Sequence, residues 1–215
     1  MIKLENFSVY GLAEAIHGMR NPKNSWAKSD STIAYAADGE KYFKLGETDK
    51  KLAMALSAGG PVHGKFKRMI TVYVDITAPL YWWKEFDTYK VGTVADSCST
   101  MHKIQEKEFE PIDFSTEHLL VPSKDVLYKT IDILNAYRYV FNLTKKKEYW
   151  WQMIQLLPTS YNQKRTVMMN YEVLTNIYQS RKGHKLDEWH TMRKWIESLP
   201  YSELITGGTN DESED

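Results

Sequence analysis

Hydrophobic and polar positions alternate most clearly between residues 69 and 77. Every second residue there is a β-branched aliphatic one, and Thr, Tyr and Asp stand between them. A period of two predicts a β-strand with one face in the core and the other face polar. Pro79 ends the alternation, and residues 80–89 return to helical spacing. The aliphatic positions of the predicted strand are Ile70, Val72, Val74 and Ile76.

Most other apolar positions recur three or four residues apart, which is the spacing of an amphipathic helix. In the first half, this pattern predicts a helix over residues 8–20 and a second helix from the capping pair Thr48-Asp49 to Ser57. The second half is predicted to be mainly helical, with Ser123 as a cap and Val126 on a buried face. Its helices are predicted over residues 123–143, 145–157, 162–180 and 186–199.

These elements together predict an α/β fold. A single domain over residues 1–205 has a central β-sheet flanked by helices and a mainly helical C-terminal half. No internal repeat and no linker divides this range. Residues 206–215 are predicted to be a disordered acidic tail, because they are polar and carry several carboxylates. A chain of 215 residues is long enough to bury a full core.

Charge and composition exclude several classes of protein. Lys plus Arg and Asp plus Glu number 28 each, so a net charge of zero argues against binding nucleic acid through bulk charge. No apolar run approaches the roughly 18 residues that span a bilayer, so we expect no membrane insertion. The one cysteine and the absence of a signal-peptide pattern predict a cytoplasmic protein.

The aromatic content of 13% is the unusual number in the composition. Aromatic side chains fill cores, and they also stack on flat ligands. At helical spacing the core interpretation is favoured, so Tyr89 is singled out as a ligand contact by its position alone. The other aromatic residues considered for stacking are Trp82, Trp83, Trp150 and Trp151.

Familiar catalytic motifs do not occur in the sequence. It has no dinucleotide fingerprint, phosphate-binding P-loop, nucleophile elbow or Cys/His metal spacing. The six histidines are scattered, so no metal site is predicted and no catalytic residue is assigned. Cys98 has no base beside it in sequence, and we interpret it as a small buried residue rather than a nucleophile.

Two polar segments are candidates for binding a ligand. The segment from Ser97 to Lys103 follows Lys90 and combines hydroxyls with cations, as a phosphate site requires. An ordinary turn between helices is the alternative. Residues 20–31 are interpreted as a surface loop held by Asn, Ser and Asp turns. The candidate phosphate-binding residues of the first segment are Ser97, Ser99, His102 and Lys103.

Three consecutive segments, Gly59–Phe66, Trp82–Lys90 and Ser97–His102, resemble the central block of the flavin-dependent thymidylate synthases. That family has a glycine-histidine segment, a strand, a helix ending in Arg-His-Arg, and a serine that opens a substrate-phosphate loop. The resemblance implies that Ser99 is the loop serine. It also implies cofactor contacts by His63 and by the three residues in the place of Arg-His-Arg, which are Thr88, Tyr89 and Lys90.

The C-terminal half extends the resemblance, which covers roughly residues 50–200. Asn170 matches the start of the family's Asn-x-Arg helix, and Glu172 stands where the arginine is usual. The resemblance implies a cofactor contact by Asn170 and nucleotide contacts by Arg181 and Arg193. A carboxylate facing a phosphate weakens binding unless a cation compensates, and the candidate cations are Arg68, Lys103 and Arg20.

The resemblance implies an FAD-binding homotetramer that methylates dUMP or a related pyrimidine nucleotide. Methylenetetrahydrofolate is then the carbon donor and NADPH the reductant, with binding and orientation as the protein's contribution. The replaced Arg-His-Arg signature supports a second hypothesis, a catalytically inactive protein of the same fold that binds a nucleotide or a protein partner. An accidental match in an aromatic-rich α/β domain is the third.

Overall fold

The computed structural model describes residues 2–208. Its strands are β1 (Lys3–Tyr10), β2 (Thr32–Tyr35), β3 (Lys41–Lys44), β4 (Thr71–Pro79), β5 (Val94–Ser97) and β6 (Asn162–Asn170). Its helices are α1 (Leu12–Gly18), α2 (Glu47–Ala58), α3 (Leu80–Phe86), α4 (Val121–Thr144), α5 (Lys147–Leu156), α6 (Tyr171–Ser180), α7 (Asp187–Glu197) and α8 (Glu203–Thr206). Short 3-10 turns cover Asn21–Lys23, Trp26–Lys28, Gly64–Met69 and Pro111–Asp113.

The strands form two sheets. The larger sheet has the order β1-β4-β6-β5, so β4 lies in its interior between β1 and β6. The smaller sheet is the antiparallel hairpin of β2 and β3, with Thr32 opposite Lys44 and Tyr35 opposite Lys41. The predicted α/β fold with a central β-sheet and flanking helices is confirmed.

The described chain divides into two compact units. One contains residues 2–5, 75–88 and 95–166, and the other contains residues 6–74, 89–94 and 167–208. In the first unit, α4 and α5 pack together around buried residues such as Leu134 and Met153. In the second unit, α6 packs on α7, α8 and the turn Gly64–Met69, which also contacts α1 and α2. The single domain over residues 1–205 stays a prediction.

The strand predicted over residues 69–77 is confirmed as β4, which starts and ends two residues later and includes Pro79. Ile70, Val72, Val74 and Ile76 are all fully buried, while Tyr73 between them is exposed. Two tryptophans that follow the strand, Trp82 and Trp83, are buried as well, which confirms that they belong to the core. A strand with aliphatic residues on one face gains its stability from that burial.

The helix predicted over residues 162–180 is wrong in its first half. Residues Asn162–Asn170 form β6, and the helix α6 begins only at Tyr171. Val167 and Met169 are both fully buried and stand two residues apart, which is the period of a strand. Asn170 separates the two elements by accepting a hydrogen bond from the backbone N–H of Val173, as an N-cap does.

The predicted helix over residues 8–20 also began too early. Residues Lys3–Tyr10 form β1, and the helix starts after Gly11. Gly11 has a φ of +84°, and a Cβ there would lie 2.3 Å from the carbonyl oxygen of Met69. Only glycine fits a left-handed turn at such close backbone approach, so this residue fixes the change from strand to helix.

Helix α4 lies where the pattern predicts it, but two of its residues were misassigned. Ser123 lies inside the helix and caps nothing, because the helix begins at Val121. Val126 is 64% exposed, whereas Leu127, Ile131 and Leu134 are buried. The three buried residues recur at helical spacing and define the face that α4 turns to the core, and this face excludes Val126.

No helix among residues 2–208 is both long and apolar enough to cross a membrane. Thr206, the first residue of the predicted acidic tail, is buried at the end of α8. Residues 209–215 of that tail lie outside the described residues.

Candidate functional site

The second unit contains a cavity of about 820 Å³. Its walls come from the end of α1, the turn Asn21–Lys23, one face of α2 and the turn Gly64–Met69. The turn Asn21–Lys23 belongs to the loop of residues 20–31, and the turn Gly64–Met69 overlaps the glycine-histidine segment Gly59–Phe66. The lining residues with apolar or cationic side chains include Met19, Lys23, Leu52, Leu56, Phe66 and Met69.

The chemistry of the cavity is apolar with positive charge. Beside the apolar side chains, the lining contains His63 and the three cationic residues Lys23, Lys65 and Arg68. No carboxylate belongs to the set of described residues that line it. A flat apolar molecule with an anionic group matches such a surface, because the walls desolvate the ring and the cations attract the charge.

His63 reaches the cavity from a tight turn that follows α2. Gly60 has a φ of +85°, and its carbonyl oxygen accepts a 2.8 Å hydrogen bond from the backbone N–H of Gly64. A Cβ on Gly59 would lie 3.2 Å from the His63 side chain, so the missing side chain lets the imidazole pack against the helix end. His63 thus lies in the cavity lining, and its contact with a flavin stays a prediction.

The turn Gly64–Met69 is anchored to α6 by two basic side chains. Lys67 is buried and donates a 3.0 Å hydrogen bond from Nζ to Oγ1 of Thr175. Burial lowers the pKa of Lys67, although the charge of Glu172 acts in the opposite direction. Arg68 donates to both carboxylate oxygens of Glu172, with 3.0 Å between Nη2 and Oε1. Of the cations considered as compensation for Glu172, Arg68 is therefore the one that pairs with it.

A buried ion pair between Arg20 and Asp49 of α2 anchors the loop of residues 20–31. Arg20 is 3% exposed and Asp49 is fully buried, with 2.5 Å between Nε and Oδ1. The other guanidinium nitrogens of Arg20 donate to the carbonyl oxygens of Ser25 and Lys28. The loop is therefore fixed by an interior arginine and not by surface turns alone.

Asp49 also forms hydrogen bonds with the C-terminal part of the same loop. Its Oδ2 accepts hydrogen bonds from the hydroxyls of Ser29 and Ser31, each at 2.6 Å. Burial alone would raise the pKa of Asp49, but hydrogen bonds from Ser29, Ser31 and Arg20 outweigh burial and lower it. The predicted capping pair Thr48-Asp49 is wrong. Instead, Asp30 accepts from the backbone N–H groups of both residues at the start of α2.

The residues in the place of Arg-His-Arg make contacts within the protein. The hydroxyl of Tyr89 accepts a 2.9 Å hydrogen bond from Nε of Arg181. The Arg181 guanidinium also lies 4.4 Å from the ring centroid of Trp189, in a cation–π contact. Thr88 donates to the carbonyl oxygen of Glu85, and Lys90 is exposed. Tyr89 and Arg181, two predicted ligand contacts, are therefore brought together.

The side chain of Asn170 lies next to Gly92, which follows Thr88, Tyr89 and Lys90 closely in sequence. A Cβ on Gly92, which has a φ of +79°, would lie 2.8 Å from Nδ2 of Asn170. The other end of this amide caps α6. Arg193 is also engaged, since it stacks 4.3 Å over the ring of Tyr178 and donates to its carbonyl oxygen. Contacts within the protein therefore account for the positions of the Asn170 and Arg193 side chains. The ligand-binding roles of these two residues stay predictions.

The candidate phosphate segment belongs to the first unit. Ser97 ends β5, and the hydroxyl of Ser99 accepts hydrogen bonds from the backbone N–H groups of Met101 and His102. Lys103 forms an exposed ion pair with Glu106. The segment thus closes a turn on itself, which agrees with the alternative interpretation, while its hydroxyls and cations remain at the surface.

The expectation that Cys98 is buried is wrong. Its side chain is exposed, and only its backbone is held, by a 2.9 Å hydrogen bond from its N–H to the carbonyl oxygen of Lys164. Position beside an edge strand, rather than residue type, determines its exposure.

Sequence reasoning missed most of the cavity. Lys23 and Lys65 stood in segments that had been noted, but their side chains were not assigned to a site. Arg68 was considered only as a cation without a location. The signal that could have identified them was the count of basic residues close to His63, because basic side chains around a glycine-rich turn favour an anion site.

Comparisons with known proteins identify the fold. No protein-family model and no curated protein sequence matches the chain. A flavin-dependent thymidylate synthase ThyX from Helicobacter pylori, in complex with FAD and dUMP, superposes with a TM-score of 0.67 at 18% identity. That match covers 95% of this chain and 97% of the other.

Two further solved structures agree with this match. A second Helicobacter pylori ThyX with FAD and dUMP gives a TM-score of 0.68 at 17% identity, over 96% of this chain and 97% of the other. A UMP/dUMP methylase PolB from Streptomyces cacaoi, bound with 5-Br dUMP, gives 0.52 at 11% identity, over 81% and 74%. The chain therefore has the fold of the flavin-dependent thymidylate synthases, at 17–18% sequence identity to the two ThyX structures.

Proposed function

We propose that the protein binds FAD and a dUMP-like pyrimidine nucleotide and acts as a divergent flavin-dependent thymidylate synthase. The observation that supports this most is the similarity of fold over 95% of the chain to an enzyme in complex with FAD and dUMP. The cavity beside His63 adds a surface of suitable chemistry. In this proposal the methyl donor is methylenetetrahydrofolate and the reductant is NADPH.

The residues of the cavity fit a flavin nucleotide. Its volume of about 820 Å³ lies within the usual range of ligand pockets, roughly 300–1,000 Å³. Phe66, Leu52 and Met69 supply apolar walls for a ring system, and Lys23 and Lys65 supply charge for phosphates. Thus the apolar and the anionic parts of FAD each have matching groups here.

In the proposed reaction, bound FAD supplies the hydride chemistry. The contribution of this chain is to bind, orient and exclude water. His63 would lie against the ring, and apolar side chains of α2 would keep solvent from it. Thr88, Tyr89, Lys90 and Asn170 remain the other proposed cofactor contacts.

The proposed nucleotide contacts lie in both units. They are Ser97, Ser99, His102 and Lys103 in the first unit and Arg181 and Arg193 in the second. Hydroxyls and cations of this kind hold phosphate and pyrimidine oxygens through charge-assisted hydrogen bonds. We also propose that the protein is a cytoplasmic homo-oligomer, a tetramer by resemblance.

The visible spectrum of the purified protein tests the proposed cofactor. We expect flavin absorbance as isolated or after addition of FAD and gel filtration. His63→Ala should retain less flavin, whereas His118→Ala, a change in the other unit, should retain as much as the unmodified protein. Protein that never acquires flavin absorbance would contradict the proposal.

The reaction itself is tested by release of tritium from dUMP labelled at C5 of the uracil ring. With FAD, NADPH and methylenetetrahydrofolate present, we expect release above a control without the folate. Flavin binding without release would contradict the proposed synthase activity and leave the proposed cofactor standing.

The second candidate is a protein of this fold that binds a nucleotide or a protein partner without catalysis. The hydrogen bond between Tyr89 and Arg181 favours it, because this bond engages two side chains that were predicted to contact ligands. Tyr89 is one of the three residues in the place of Arg-His-Arg. A ligand that binds only the folded state raises the melting temperature by mass action. This candidate predicts a higher melting temperature with dUMP, no shift with FAD and no tritium release.

A further inference from the structure

Arg68 lines the cavity and is held in one orientation. Its Nε and Nη2 donate to the two carboxylate oxygens of Glu172, which is the fork geometry that fixes a guanidinium plane. The side chain of Arg68 is 53% exposed, and that of Glu172 is 20% exposed. Glu172 belongs to the first turn of α6, so a helix positions the carboxylate.

The orientation leaves part of the guanidinium available to a ligand. Among residues 2–208, the Nη1 group of Arg68 has no recorded hydrogen-bond partner. Arg68 belongs to the cavity lining, whereas Glu172 does not. Glu172 uses Nε and Nη2 of a residue that lines the cavity, and the N–H groups of Nη1 remain available to an acceptor.

The surroundings keep the local charge positive in spite of Glu172. Lys23 and Lys65 line the same cavity, and neither has a recorded ion-pair partner in the described part of the chain. The buried side chain of Lys67, in the same turn as Arg68, interacts electrostatically with Glu172. One carboxylate among these cations is more than balanced, so an anion entering the cavity is attracted.

We propose that Arg68, oriented by Glu172, binds a phosphate group of the ligand in the cavity. The ligand class is a nucleotide whose flat ring lies on the apolar walls and whose phosphate accepts from Nη1 of Arg68 and from the neighbouring lysines. A guanidinium suits this role because it offers rigid, planar donors and keeps its charge. The proposal deepens the proposed function and rests on it for the identity of the nucleotide.

Inorganic pyrophosphate is the probe that tests the phosphate site without any flavin. Isothermal titration at low ionic strength compares the unmodified protein with Arg68→Gln, with the double variant Arg68→Gln/Glu172→Gln, and with Lys129→Gln. Lys129 is an exposed lysine of α4 and does not belong to the cavity lining, so its variant removes one positive charge without changing a lining residue. Melting temperatures of all four proteins show whether each one is folded.

The double variant Arg68→Gln/Glu172→Gln shows whether pyrophosphate binding depends on the Arg68 guanidinium or on the net charge of the protein. It has the same net charge as the unmodified protein and leaves no carboxylate uncovered. We expect its pyrophosphate affinity to fall about tenfold, as for one lost charge-assisted contact. Arg68→Gln should lose more, because Glu172 then repels the ligand, and Lys129→Gln should lose less than about twofold.

Three results would overturn the proposal. They are failure of the unmodified protein to bind pyrophosphate, unchanged affinity in the double variant, and an equal loss in Lys129→Gln. FMN and riboflavin, which differ by one phosphate, separate this proposal from the proposed function. Arg68→Gln should weaken FMN and leave riboflavin unchanged. If neither flavin binds but the pyrophosphate results hold, the flavin function fails and the phosphate site stands.

Discussion

At the scale of single residues, the Arg20–Asp49 pair anchors the loop that supplies part of the cavity wall. Both side chains are buried, and together they hold the loop from Ser25 to Ser31. Asp49→Asn would leave the guanidinium of Arg20 without its counter-charge in the interior. We expect a loss of about 3 kcal/mol in the free energy of unfolding, measured by urea denaturation, since one partner of a buried pair remains.

An exposed ion pair provides the matched control for this variant. Lys103 and Glu106 are also a pair, but their side chains are 67% and 56% exposed. Lys103→Gln should cost no more than about 0.5 kcal/mol, because solvent screens such pairs. Equal losses in the two variants would mean that burial of the Arg20–Asp49 pair does not increase its contribution to the free energy of unfolding.

The pH dependence of stability follows from the same carboxyl group. Folding lowers the pKa of Asp49 from its ordinary value of 3.8, so the native protein binds this proton more weakly than the unfolded chain. The contribution to stability is therefore present above that value and is lost as the pH falls through the lower native pKa. Between about pH 5 and pH 3, unfolding free energy should fall more steeply in the unmodified protein than in Asp49→Asn. Parallel curves would exclude Asp49 as a source of acid sensitivity.

The residues of the site could be predicted only in part. His63 was found through its place in a glycine-rich segment, and it does line the cavity. The ion pair between Arg68 and Glu172 could not be predicted from the sequence, because 104 residues separate the two side chains. Arg20 was noted as polar, but its burial depends on Asp49, which the pattern had assigned to a helix cap. Long-range pairing, rather than residue type, decides these roles.

At the scale of elements, periodicity succeeded where one face is clearly apolar. β4 was predicted from four alternating aliphatic residues, all fully buried. β6 was missed because its apolar residues Val167 and Met169 stand two apart directly before the helical spacing of α6, and the two patterns merge. Asn170 marks the boundary between them, but an N-cap is recognised only when the preceding segment is known to be non-helical.

The turn between β1 and α1 gives the prediction at this scale. In Gly11→Ala, the new Cβ would collide with the carbonyl oxygen of Met69, a residue of the cavity wall. Gly39→Ala is the control, because Gly39 has a φ of +87° and nothing within 4 Å of the added Cβ. Backbone strain costs about 1–2 kcal/mol in either variant.

Overpacking against the backbone should add about 2 kcal/mol or more in Gly11→Ala only. Thermal and urea unfolding of the two alanine variants measure the difference. If Gly39→Ala proves as destabilising as Gly11→Ala, then the close approach of Met69 does not constrain the turn, and backbone strain alone accounts for both.

At the scale of the whole molecule, the fold was predicted from the order of blocks rather than from a signature. A glycine-histidine segment, a strand, a helix and a serine loop follow one another as in the flavin-dependent thymidylate synthases, although the Arg-His-Arg residues are replaced. A fold constrains the order of its elements, whereas the residues that contact ligands differ among proteins of the same fold. This is why the fold could be predicted while the site residues still need experiments.

The proposed homo-oligomer gives the last prediction. The outer face of α4 exposes large apolar side chains between charged ones, and within residues 2–208 Val126, Ile133, Tyr139 and Leu143 are 47–68% exposed. Such a face matches an interface between copies better than a solvated surface. We expect light scattering after gel filtration to give a mass several times 25.1 kDa. Val126→Lys/Leu143→Lys should reduce that mass, while Lys51→Gln, at an exposed position of α2, should not. A monomer in the unmodified protein would contradict the proposed assembly, and an unchanged mass in the lysine variant would move the interface to another surface.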